Sequence, residues 1–364
     1  MRTLGLLLLA SASTAFAGDP AGWDKSAAAK HLDERAQAWL DFAGAYRGEG
    51  ATRTTCLSCH SFVPYLLARP ALREIRDERG PAGPEAKSLA QIKERVAHWD
   101  ELDTPAWKLA YDSSPEKKRQ SRGTEAVLNA LVLANKDRSD SMEPSPATRK
   151  ALGHLWSTQR KDGPEAGSWD WLDFGLEPWE AGDGRVFGAT LAALAVGTAR
   201  GYDLQSAEVR PGVERLRSYL RSRFADQTLF DRIAVLRASA ALERLMTAPE
   251  RSKLVDEVLA LQRDDGGWSL ASLGDYQRSD GTPEDTNSDG LATGFVLDAL
   301  RASGVPRTHP GITKGFEWLR RNQQKDGGWA AASLNKKRDP KSHVGRFMSD
   351  AATAYAVLAL TRED

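Results

Sequence analysis

The chain of 364 residues carries 50 basic and 50 acidic side chains, and 41% of it is hydrophobic. Balanced charge without a long single-sign run excludes a phosphate-tracking surface, so nucleic acid is not an expected partner. Only two cysteines, Cys56 and Cys59, exclude a disulfide framework, and no apolar run is long enough for a membrane-spanning helix.

Residues 1–17 read as a secretory signal peptide: Met1 and Arg2, an apolar stretch through Leu9 to Ala12, then Ala15-Phe16-Ala17 before polarity returns. The mature protein, residues 18–364, is therefore expected to be soluble and either periplasmic or secreted. It alternates charged amphipathic helices with helices that are apolar nearly all round, the second kind belonging inside a helical layer. The first hairpin pairs residues 27–43 with 62–72 and carries, within residues 51–73, the motif Cys56-Leu57-Ser58-Cys59-His60. The second pairs 88–99 with 125–134 across a longer connection. In the third, a helix ending near Gln159 leads through Trp169 into 187–194. The fourth joins 213–224 to 233–245 by a plain turn.

The last two hairpins are the clearest. Residues 255–262 and 291–300 flank Gln262-Arg263-Asp264-Asp265-Gly266-Gly267-Trp268, and residues 312–323 and 351–360 flank Gln324-Lys325-Asp326-Gly327-Gly328-Trp329. The two Gly-Gly-Trp elements signal a repeat architecture. Six hairpins, each burying its second helix, can close an inner ring inside an outer one, which removes exposed ends. The expected fold is all-α, an α6/α6 toroid, with an open helical solenoid as the alternative.

The Gln…Asp-Gly-Gly-Trp element between an outer and an inner helix resembles the repeat of squalene-hopene cyclases and protein prenyltransferase β subunits. The resemblance is best from about residue 146 onward, over Leu155 to Leu360, and rests on helix pattern alone in the first third. It implies the toroid fold and does not carry the family chemistry. The Asp-x-Asp-Asp motif with which class II terpene cyclases protonate an alkene is absent, and no late cysteine could ligate a prenyltransferase zinc.

Cys56-Leu57-Ser58-Cys59-His60 has the form of a c-type haem attachment site. Two thiols at this spacing reach both vinyl groups of a haem, and the following histidine places an imidazole under the iron. One covalent haem c is expected, tethered by Cys56 and Cys59 with His60 as proximal ligand. A thioredoxin-like redox pair would want a βαβ context, and a zinc site would want ligands that the distant His98 does not supply. For the distal position the candidates are Met348 and His343, in the loop leading to the last inner helix, which a closed ring brings beside the first hairpin.

Glu180, Asp183, Asp289 and Asp350 at the mouths of inner helices are weak catalytic candidates, with helix capping as the plain alternative. Residues 285–290, Asp-Thr-Asn-Ser-Asp-Gly, match half of a calcium loop, but Val296 stands where a bidentate glutamate is needed. Three functional readings follow. The first is a redox protein that exchanges electrons with a periplasmic donor or acceptor, or oxidises a small apolar, isoprenoid-like molecule. The second is a binding toroid with a structural or sensory haem. The third, a haem-free cyclase relative, is opposed by the missing aspartate motif.

Overall fold

The computed structural model describes residues 22–363 except 111, 113 and 183; the predicted signal peptide and the candidate Asp183 lie outside the described residues. Six outer helices, α1 (Lys25–Leu40), α3 (Gly83–Ala97), α5 (Pro146–Thr158), α7 (Arg210–Arg223), α9 (Ala248–Ala260) and α11 (Pro310–Arg321), alternate with six inner ones. The inner helices are α2 (Phe62–Ile75), α4 (Pro115–Asp140), α6 (Gly184–Thr198), α8 (Leu229–Ser239), α10 (Gly290–Ala302) and α12 (Phe347–Thr361). Each inner helix packs on the next, and α12 returns to pack on α2, so the α6/α6 toroid is closed rather than an open solenoid.

The sequence division into two kinds of helix is the division into two rings. α12 is buried along almost its whole length, whereas α11 buries one face, through Ile312, Phe316 and Leu319. Two expected boundaries move. α4 begins ten residues before the expected position because Ser114 caps it, accepting from the Lys117 amide, and Pro115 suits its first turn. α8 ends at Ser239, and the expected continuation to residue 245 forms turns instead.

The repeated element acts as a bracket. Gln262 Nε2 donates to the carbonyls of Gly266 in its own turn and Gly311 at the start of the next outer helix, both at 2.7 Å. Gln159 does the same with Gly167 and Gly212, at 3.2 and 2.9 Å. In the last hairpin the bracketing residue is Gln323, not the expected Gln324. Its Nε2 donates to Gly327 at 3.1 Å and to Asp24 at 3.0 Å, while its Oε1 accepts from the Asp24 amide at 2.7 Å. The last repeat thus closes on the first outer helix.

Each of the three turns places a glycine at φ between 90° and 100°, a conformation open to glycine and strained for other residues. Each buries a tryptophan whose indole donates at 2.8 Å to a carbonyl of the preceding outer helix: Trp169 to Leu155, Trp268 to Val258, Trp329 to Leu319. At Gly327 a side chain would also strike the Ala27 backbone at 2.2 Å.

Gln323→Ala removes the bonds that join the last turn to Asp24 at the start of the first outer helix. We expect a loss of about 1–3 kcal/mol in urea unfolding, against a few tenths for the exposed Glu34→Ala. Equal midpoints for the two variants would show that closure does not depend on this bracket.

Candidate functional site

The haem-type motif lies immediately before α2, in a segment tied down from several sides. A short antiparallel pair, Tyr46 with Thr55 and Arg47 with Thr54, carries the chain into it. Arg95 of α3, almost wholly buried, holds Thr54 Oγ1 at 2.8 Å and Glu125 of α4 at 2.6 Å. The Trp39 indole donates to the Cys56 carbonyl at 3.0 Å. Ser58 Oγ accepts from the amides of Ser61 and Phe62 at 3.3 and 3.0 Å, so the middle of the motif caps the first inner helix.

His60 is placed by a polar chain that crosses the closure of the ring. Its Nδ1 lies 2.9 Å from Ser61 Oγ; the Ser61 hydroxyl donates to Asp350 Oδ2 at 2.7 Å, and Arg35 grips Asp350 through two bonds of 2.6 and 3.0 Å. Since the Ser61 proton goes to Asp350, its oxygen accepts from His60, which puts the imidazole proton on Nδ1 and leaves Nε2 with a free lone pair. Burial, with the positive charges of His343 and Arg338, pushes the His60 pKa down to about 3, so the ring is neutral near pH 7. Phe347 stacks on it at 4.2 Å and Trp39 meets it edge-on at 5.2 Å.

Both thiols are buried, and no disulfide joins them. Burial raises the Cys59 pKa well above the usual thiol value, with Glu180 and Cys56 adding to it, so the bare pair is poorly suited to thiolate chemistry. Glu180, desolvated beside Cys59, is itself pushed up to about 7 against the pull of Lys117.

The candidate residues separate. Glu180 meets Cys59, and Asp350 enters the His60 chain. Asp289 instead caps α10, accepting from the Ala292 amide at 2.9 Å and from the Leu270 amide at 2.6 Å. The half calcium loop that contains it turns upon itself, Asp285 accepting from the Asn287 amide. Among the described residues no three histidine, cysteine or acidic side chains gather closely enough to hold a metal ion.

His343 packs among the aromatic rings that surround His60. Its ring lies 4.4 Å from Phe42 and 5.3 Å from Phe347, and its Nε2 is buried without a hydrogen-bond partner. Met348, the other distal candidate, is buried on α12. Ser61, Arg35 and the Trp39, Phe42 and Phe347 rings were not singled out from the sequence. Only the Ser61 position beside His60 carried a signal, since a hydroxyl there can hold the imidazole proton.

The loops that follow the three buried tryptophans and enter α6, α10 and α12, residues 169–182, 268–289 and 329–346, share one rim. Asn335 Nδ2 donates to the Glu177 carbonyl, its Oδ1 accepts from the Glu177 amide, and its carbonyl accepts from the Ser279 amide at 2.9 Å. Glu180 and His343 belong to two of these loops, so the rim and the motif are one region.

Comparison with known proteins agrees with this architecture. Residues 289–363 match the squalene-hopene cyclase C-terminal domain family. The squalene–hopene cyclase of Bradyrhizobium diazoefficiens is 38% identical over 68 residues, 19% of this chain and only 10% of that enzyme; a probable squalene–hopene cyclase of Sinorhizobium fredii is 35% identical over the same length. The α-1,6-mannanase GH76A of Salegentibacter sp. HEL1_6 superposes with a TM-score of 0.53 at 10% identity, over 93% of this chain and 100% of that one. These are likenesses of fold, shared by proteins of different chemistry.

The two carboxylates should differ sharply on removal. Asp289→Ala deletes a helix cap and is expected to cost about 1–2 kcal/mol. Asp350→Ala leaves Arg35 unpaired in a nearly buried position and should cost about 3–5 kcal/mol. Denaturant titration of both checks the order; a milder effect at Asp350 would contradict the polar chain described above.

Proposed function

We propose that the chain is an exported redox protein in which the cyclase-like toroid carries one c-type haem at its rim, tethered by Cys56 and Cys59, with His60 as the proximal and His343 as the distal iron ligand. The observation that carries this reading is the His60–Ser61–Asp350–Arg35 chain. It holds a proton on Nδ1 and presents Nε2, the arrangement in which a histidine binds iron with its orientation set by outer groups.

The donor set fits the group: two thiols, one imidazole with a committed tautomer, and a second imidazole whose Nε2 is buried and unpaired. Space is where the chain must give. The cavity beside Cys56 is only about 20 Å³, so the half-buried rings of Phe42, His343 and Phe347 would have to part from Trp39 and His60. When bound, a c-type haem supplies one-electron oxidation and reduction. The chain's own part is to orient: Asp350 holds the Ser61 hydroxyl so that the His60 proton stays in place, Arg35 fixes Asp350 through two bonds, and the aromatic rings exclude water.

Electron exchange with an exported donor or acceptor is the favoured form of this reading, because two histidines leave no iron face for substrate. An aromatic layer also crosses the barrel behind the motif: Phe230 stacks on Phe295 at 4.6 Å, Phe187 lies 5.9 Å from Phe230, and Tyr355 lies 5.2 Å from Phe295. That layer stands between the rim and the barrel's far cavity, which argues against oxidation of an apolar molecule held there. The periplasmic address rests on residues 1–17 and belongs to the same proposal.

Expression with the signal peptide in a host that attaches c-type haem, followed by intact mass and absorption spectroscopy, tests the reading. A haem-sized mass increase and a reduced c-type spectrum, both lost in Cys56→Ala, Cys59→Ala, are expected. His343→Ala should turn a low-spin spectrum into a high-spin one, and Met348→Leu should leave it unchanged. A colourless protein of unmodified mass would end the haem reading; a spectral response to Met348→Leu but not to His343→Ala would reassign the distal ligand.

A further inference from the structure

A second feature lies at the opposite end of the barrel. The motif precedes the first residue of α2, whereas a cavity of about 330 Å³ runs among all six inner helices and opens toward their C-terminal ends. At a rise of about 1.5 Å per residue the two ends of α2 are about 20 Å apart. Phe187, Phe295 and Tyr355, from the aromatic layer, line this cavity too, and Leu67, Leu131, Leu191 and Leu358 line its apolar walls.

The mouth is charged and unevenly paired. Arg138, Arg237 and Arg362 line it with two acidic residues, Glu74 and Asp298. Asp298 is shared between Arg237, at 2.6 Å, and Arg362. Arg138 Nε is buried with no hydrogen-bond partner. Desolvation, followed by the charges of Arg362, Arg237 and Arg200, depresses the Arg138 pKa, with only Glu74 opposing. Cations at helix C-termini complement the helix dipole, which accounts for where these arginines stand. It does not account for an unpaired guanidinium nitrogen at the lip of an apolar hole.

We propose that this cavity binds a single-chain amphiphile with an anionic head, a carboxylate or a phosphate monoester, its tail among the leucines and its head on Arg138. A guanidinium presents a planar pair of donors that such heads accept. An apolar cavity with a few convergent polar groups is the ordinary form of a small-molecule site. Nothing in this inference depends on the haem, because the aromatic layer separates the two ends.

Isothermal titration of the purified full chain with decanoate, decyl phosphate, decanol and inorganic phosphate tests it. Saturable binding of decanoate or decyl phosphate, one per chain, is expected, the tighter of the two naming the head group. Decanol should bind at least about tenfold more weakly, since it cannot meet the charge, and inorganic phosphate, without a tail, should not compete. Arg138→Gln, shown by its unfolding curve to be folded, should lose about tenfold in affinity, and Leu191→Trp, which fills the cavity, should abolish binding. Equal affinity for decanol and decanoate, unchanged binding in folded Arg138→Gln, or no saturable binding at all would overturn the proposal.

Discussion

Everything at the rim depends on closure of the ring. Gln323 reaches across 299 residues of sequence to Asp24, and that bracket sets the last hairpin beside the first. Arg35 of α1, Ser61 before α2 and Asp350 of α12 can then form one hydrogen-bonded chain, and Phe347 can lie on the His60 ring. In an open solenoid these groups would stand at opposite ends of the molecule. Closure therefore builds the polar chain, as well as removing two exposed helical faces.

The bracket works because one side-chain amide ties a carbonyl of its own turn to a carbonyl at the start of the next outer helix. A glutamine amide has two donor hydrogens, and each copy spends them in the same way, on its own turn and on the next outer helix. The buried indole does the complementary task at the end of the preceding outer helix, adding a donor to one of its last carbonyls. Hairpins without this element, the first, second and fourth, are joined instead by irregular segments or a short turn. The motif that holds the cysteines occupies one of those segments.

The barrel has two unlike ends. At the N-terminal ends of the inner helices, long loops meet through Asn335 and surround two thiols, two imidazoles and a relay of fixed protons. At the C-terminal ends, arginines outnumber carboxylates around an apolar hollow. The aromatic layer from four successive inner helices divides them, so the toroid is a scaffold with two faces. The likeness to the squalene–hopene cyclase family covers residues 289–363, from α10 to the end of α12, and the mannanase likeness is one of backbone alone. Neither brings chemistry to this chain, and Cys56, Cys59 and His60 lie outside the residues that the family match covers.

By itself the sequence determined the local rules: which helices are apolar all round, where a glycine must turn the chain, and that two cysteines and a histidine share one short segment. Those are properties of composition and spacing within a few turns of chain, so the six hairpins and the candidate attachment motif were legible. The register of the last bracket was not, because Gln323 and Gln324 are adjacent and only geometry chooses between them. Nor were the partners of His60 beyond its neighbour Ser61. Asp350 read equally well as a helix cap, and His343 was one of two distal candidates, because both lie almost three hundred residues from the motif. Tertiary structure decided the partners of His60 through a physical cause: burying six apolar helices against one another forces the ring shut, and the shut ring desolvates Asp350, Ser61 and His60 together, so that each must find its hydrogen bond in the others.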